Sequence, residues 1–149
     1  MKSVHYIIFF IIILFDYFTK IWVINYIHLY EKKYIFCFLN LYCTNNYGII
    51  LGLFNTCNIL NCWYLFIINF VSILILIIIQ FTTHNIFKKK ISTNIAYMFI
   101  LGGGIGNFID RMQNGYVIDF IDIHCFNYHF PTFNVADFNI FLGFFLLLK

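Results

Sequence analysis

Four apolar stretches set the frame of this chain. The first runs from about Val4 to Tyr26, where IIFFIIILF precedes Asp16, Thr19 and Lys20. The second, Cys62 to Phe81, is almost unbroken. The third, Ile91 to Arg111, ends in GGGIGNFIDR, and the fourth runs from about Val135 to Lys149. A helix crosses about 30 Å of hydrocarbon with about 20 apolar residues. The first three stretches meet that length. The fourth is short and spans only with little tilt or in a thinned bilayer. Lys2 ahead of an apolar core resembles the start of a signal peptide, but no small-x-small cleavage site follows, so the first stretch reads as a retained helix.

Two polar intervals separate these helices. In Tyr30 to Asn61, the alternation YIFCFLNLYC predicts short strands, and Asn45, Asn46 and Gly48 mark a turn. The interval leaves room for an interfacial helix near Leu53 to Asn61. The second interval is Met112 to Asn134. With four spans, Lys2, Lys88 to Lys90 and Lys149 fall on one side, and Lys32 and Lys33, partly offset by Glu31, on the other. The positive-inside rule then puts both termini in the cytoplasm and both intervals outside. The expected fold class is an all-α membrane protein. It is a four-helix transmembrane bundle with a small outer β element, forming one domain over residues 1–149.

Composition agrees with this frame. The 149 residues are 62% hydrophobic and 10% charged, with mean hydropathy +0.86, against about 25% charged residues in soluble domains. The net charge of +3 is small and dispersed, which excludes a nucleic-acid partner. The abundant Phe, Ile, Tyr and Asn reflect an AT-rich coding bias, so aromatic stripes carry no functional weight. The five cysteines are odd in number and irregular in spacing, which argues for small apolar fillers rather than a disulfide framework. His124, Cys125 and His129 lack further ligands at helical or turn spacing, so no metal or other cofactor is expected.

Charge is used sparingly and in one place. Four of the six acidic residues, Asp110, Asp119, Asp122 and Asp137, lie between Gly102 and Asp137, together with Arg111, the one arginine. Asp16 and Lys20 stand at i and i+4 on the first helix, where a charge at mid-membrane is costly unless it faces protein or water. GGGIGNFIDR fails as a dinucleotide fingerprint, because the sixth residue is Asn107 and a membrane helix precedes it where a strand is needed. Its glycines instead allow a close backbone approach. Asn107, Asp110 and Arg111 share one helix face. Asp119 and Asp137 each sit among apolar neighbours at opposite ends of the second interval, so the chain can fold them together. Two close carboxylates share a proton and so supply a general base and a general acid. Asp122 competes for that part.

DYFTK (Asp16 to Lys20), NYG (Asn46 to Gly48), GGGIGNFIDR, GYVIDFIDI and FNVAD together resemble the motif series of lipoprotein signal peptidase. Order, spacing and the four-span plan match over nearly the whole chain. The resemblance implies an aspartic endopeptidase of the bacterial cytoplasmic (inner) membrane, with its active site near the outer face. Its substrates would be prolipoproteins whose cysteine carries a diacylglyceryl group, cut just before that cysteine. By motif, Asp119 and Asp137 would be the catalytic pair. Asn46, Gly48, Asn107, Arg111 and Asn134 would line the substrate site, and Asp16 and Lys20 would support it. Asp110 and Asp122 would be bystanders. The implied partners are these substrates and membrane lipids, acting on a monomer. The chain departs from the pattern at Tyr17, where the family has Gln, and at Ile49, Ile50 and Leu51 after NYG.

Two other readings stay open on residues alone. A non-enzymatic proton or ion path would want acids spread through the bilayer depth, yet here Asp16 alone lies within a helix core. A structural assembly subunit packing through Gly102 and Gly106 would leave Asp119 and Asp137 unexplained.

Overall fold

The computed structural model describes residues 2–48, 59–86 and 91–148. Among them are four helices: α1 (Lys2–Tyr26), α2 (Ile59–Ile86), α3 (Ile91–Asn114) and α4 (Val135–Leu147). Four strands accompany them: β1 (Lys32–Phe36), β2 (Leu39–Asn46), β3 (Val117–Cys125) and β4 (Tyr128–His129). The strands form an antiparallel sheet in the order β1-β2-β3-β4, so the α2–α3 pair is inserted between neighbouring strands β2 and β3. The expected all-α class is therefore too narrow, because helices and a sheet share the fold. The first interval supplies β1 and β2, in keeping with its alternation. The second holds β3, which the sequence reading left unassigned. Val117 to Phe120 are buried without a break, so both faces of the strand are covered and no polar–apolar alternation marks it. Ile59 to Asn61 open α2, while Leu53 to Asn58 and the Ile49–Leu51 departure lie outside the described residues.

Helix α3 is the central element and packs against α1, α2 and α4. Its glycines make this possible. A Cβ at Gly103 would run into the Ala136 carbonyl, and one at Gly106 would lie 2.6 Å from Asp16 Oδ2. The helix stops where Gly115 adopts φ 78° and its N–H bonds the Arg111 carbonyl at 3.1 Å, a left-handed cap that glycine adopts without a Cβ penalty. Beyond it, β3 runs under the end of α1, where Val23, Ile27, Cys43, Ile118 and Phe120 form a core cluster. A second cluster, Ile73, Tyr97, Met98 and Leu101, joins α2 to α3.

The helices bury charged and polar groups beside their apolar contacts and turn large apolar side chains outward. Asp16 and Lys20 are 1% and 2% exposed, whereas Phe10 on the same helix is 59% exposed and Phe141 on α4 is 71% exposed. Water would reverse that arrangement, and hydrocarbon accommodates it. The α1 stretch His5–Tyr26 is long and apolar enough to cross a membrane, and Trp63–Ile79 and Val135–Leu147 are shorter apolar helices.

Candidate active site

Asn134 sits where three elements meet. It ends the segment that returns from β4 and caps α4, its Oδ1 accepting the Asp137 N–H at 2.9 Å. That bond fixes the amide, so Nδ2 turns toward β3 and donates to Asp119 Oδ1 at 2.7 Å. The same Nδ2 lies 3.1 Å from Asn107 Oδ1 on α3 and 3.3 Å from the Ile118 carbonyl. The segment leading to it is bound to β3, with Ile121 N–H donating to the Phe133 carbonyl at 2.8 Å.

Two more asparagines are fixed by the same logic. Asn46 Oδ1 accepts the Gly48 N–H at 2.8 Å, which turns its Nδ2 to Asp119 Oδ2 at 2.8 Å. Asn107 Oδ1 accepts from Lys20 Nζ at 3.1 Å as well as from Asn134, and its Nδ2 donates to Asp137 Oδ1 at 2.7 Å. Each amide has its oxygen occupied by a donor and its nitrogen aimed at a carboxylate, a self-consistent set of donors and acceptors. Asp119 thus has a donor on each oxygen. Among the described residues, Asp137 Oδ2 has none.

Beneath this layer lies an ion triad. Lys20 Nζ is 2.7 Å from Asp16 Oδ2 and 2.9 Å from Asp110 Oδ2. Asp16 Oδ1 accepts the Ala136 N–H at 2.7 Å, and Asp110 Oδ2 accepts the Ile118 N–H at 3.1 Å. One carboxylate therefore ties α1 to the start of α4, and the other ties α3 to β3, in each case beside an aspartate of the pair. Buried charges paired this closely are costly to break.

Asp119 is 1% exposed, and burial with the Asp137 charge nearby raises its carboxyl to about 7, against the bonds from Asn46 and Asn134 and the Lys20 charge, which lower it. A cavity of about 300 Å³ opens beside Asp137 between α2, α3 and α4. Asn46, Asn107 and Arg111 line its polar end, while Asn69 and Ser72 of α2 face it from the apolar wall. Arg111 reaches the Gly48 carbonyl at 3.0 Å, bracing the turn after β2 against α3.

The fold brings together all the residues singled out in sequence: Asp119, Asp137, Asn46, Gly48, Asn107, Arg111, Asn134, Asp16 and Lys20. Asp110 is closer to the site than a bystander, since it completes the Lys20 triad. Asp122 is apart. It faces Asn40 at 3.0 Å, His129 at 2.7 Å and Lys32 at 3.2 Å, and these bonds hold its carboxyl below the usual range despite burial. It joins β1, β2 and β3 to His129 of β4. Asn69 was passed over in sequence, although a lone amide within an unbroken apolar run was the signal available.

Known proteins resemble this one closely. The sequence profile described as Signal peptidase (SPase) II matches residues 8–149. A lipoprotein signal peptidase of Buchnera aphidicola subsp. Schizaphis graminum is 42% identical, over 96% of this chain and 89% of its own. One from Wigglesworthia glossinidia brevipalpis is 41% identical, over 99% and 94%. A solved structure of a bacterial membrane enzyme superposes with TM-score 0.81 at 27% identity, covering 98% of this chain and 85% of that one. With the profile spanning nearly the whole length and relatives above 40% identity, the chain belongs to the signal peptidase II family.

Proposed function

We propose that this protein is a membrane aspartic endopeptidase that removes signal peptides from prolipoproteins, cutting before a cysteine that already carries a diacylglyceryl group. Its family and its relatives' names support peptidase action on prolipoproteins. The observation that carries the chemistry is the pair of amides between the carboxylates: Asn134 donates to Asp119 and to Asn107, and Asn107 donates to Asp137. A pair so linked, with Asp119 raised to about 7, holds one proton near neutral pH.

One carboxylate takes a proton from water as it attacks the scissile carbonyl. The other, protonated, polarises that carbonyl and then protonates the leaving amine. Asp137 lines the cavity, and its Oδ2, without a donor among the described residues, is the oxygen left for water. Asn46, Asn107 and Asn134 fix the carboxylates, and Arg111 with its fork of donors holds substrate carbonyls. Asp16 and Lys20 support the frame. The diacylglyceryl chains keep the substrate in the bilayer, so acids on helix-bound elements near the outer surface meet the bond without a soluble cleft. In this reading all four helices span the bacterial inner membrane as one domain, with both termini cytoplasmic and the sheet outside.

The test is to give purified protein one prolipoprotein in two forms, with and without the diacylglyceryl group. Cleavage of the lipidated form alone, leaving an amino-terminal lipidated cysteine, is the expected result. Equal cleavage of both forms, or none, contradicts it.

A further inference from the structure

Helix α2 contributes two polar groups that no role above uses. From Trp63 to Ile79 its side chains are aliphatic or aromatic except for Asn69 and Ser72. Both face the cavity that holds Asp137, Asn107 and Arg111, on a helical stripe shared with Leu65, Ile73 and Leu76. Asn69 Oδ1 is buried and, among the described residues, accepts no hydrogen bond. The Ser72 hydroxyl donates to the Asn69 carbonyl at 2.7 Å, so its oxygen also remains an acceptor. A helix that lay wholly against lipid or apolar neighbours would gain by replacing both residues, since a buried acceptor without a donor is destabilising.

The missing partner is a donor that arrives with the substrate. A peptide bond can reach two carboxylates only where the segment around it is extended, and leaving a helix frees its backbone N–H groups. Against the part of the cavity walled by Leu65, Ile73 and Ile100, such groups need acceptors from the protein. Arg111 supplies donors for the freed carbonyls, and α2 supplies the acceptors. On the peptidase reading above, we infer that Asn69 is a substrate-binding residue whose Oδ1 accepts a backbone N–H from the signal-peptide segment just ahead of the scissile bond, with Ser72 as the adjoining acceptor.

The experiment uses the full-length purified protein and a fluorogenic peptide spanning the cleavage site, its cysteine carrying a diacylglyceryl group. Loss of one hydrogen bond predicts that Asn69→Leu raises KM about fivefold with kcat within about twofold, and that Asn69→Gln recovers part of the loss. Three further probes each carry one N-methylated amide ahead of the cut. One of them should cost the wild type about fivefold in kcat/KM and cost Asn69→Leu nothing more, because both changes remove the same bond. An unchanged KM in Asn69→Leu, a joint fall of Tm and kcat, or equal N-methyl penalties in both proteins would overturn the inference alone. A wild type that leaves the unmodified probe uncut removes the peptidase reading and this inference with it.

Discussion

Three asparagines hold the two aspartates in place. Asn46, Asn107 and Asn134 each spend their oxygen on a fixed donor and turn their amide nitrogen to a carboxylate. Asp119 is raised to about 7 from 3.8 by burial first and the Asp137 charge second. Its folded-state value lies above its unfolded one, so its contribution to stability is complete below about pH 4 and is lost as pH rises through about 7. Tm of the wild type should therefore fall between pH 5 and pH 8 by more than Tm of Asp119→Asn, which lacks this proton. Peptidase activity should fall over the same upper range as the shared proton leaves the pair. A wild-type slope no steeper than the variant's, in thermal melts across that range, would contradict the raised value.

At the scale of elements, contact between α1, α3 and α4 is set by small residues. Gly106 faces Asp16, and a Cβ there would lie 2.6 Å from Asp16 Oδ2 and 3.3 Å from the Ala136 Cβ. Gly106→Ala should displace Asp16 from the Ala136 N–H and shift the first turn of α4, which carries Asp137. The expected cost is about 1–3 kcal/mol of stability, read by thermal melting, with kcat reduced more than KM is changed. A variant with wild-type Tm and kcat would show that the approach is looser than described. The helices and the β1–β2 strands were readable in sequence because long apolar runs and a short aromatic-rich alternating stretch are local signals. β3 was not, because VIDF is covered on both faces and alternates nothing. The Asp16–Lys20 pair was visible at i, i+4, but the bond from Lys20 to Asn107 joins residues 87 positions apart and leaves no trace in spacing. Asp110 read as a bystander for the same reason. Its partner Lys20 stands on another helix.

The described residues present apolar helix faces around an interior that holds a buried polar network beside two apolar clusters, with a sheet of exposed lysine and aromatic side chains. Lys32, Lys33, Phe126 and Tyr128 lie on that sheet or its turns. The proposed topology, with both termini cytoplasmic, turns the sheet outward, and its exposed thiols test this. Cys37 and Cys125 are exposed and free, whereas Cys43 is buried, its thiol raised by that burial. A membrane-impermeant maleimide added to intact spheroplasts should modify Cys37 and Cys125, located by peptide mass mapping, and spare Cys43. Modification of Cys37 and Cys125 only after the membrane is opened would invert the orientation.

The pairing of Asp119 with Asp137 is tested most directly by replacing each with Asn in turn and measuring cleavage of a lipidated prolipoprotein by the purified proteins. General acid–base groups contribute about 10²–10⁴-fold, so each variant should lose at least about 10²-fold in kcat while keeping the wild-type Tm within a few degrees. Asp122→Asn, altered on the far part of the sheet, should keep its turnover. A folded Asp119→Asn or Asp137→Asn protein that still cuts at the wild-type rate would contradict the pair.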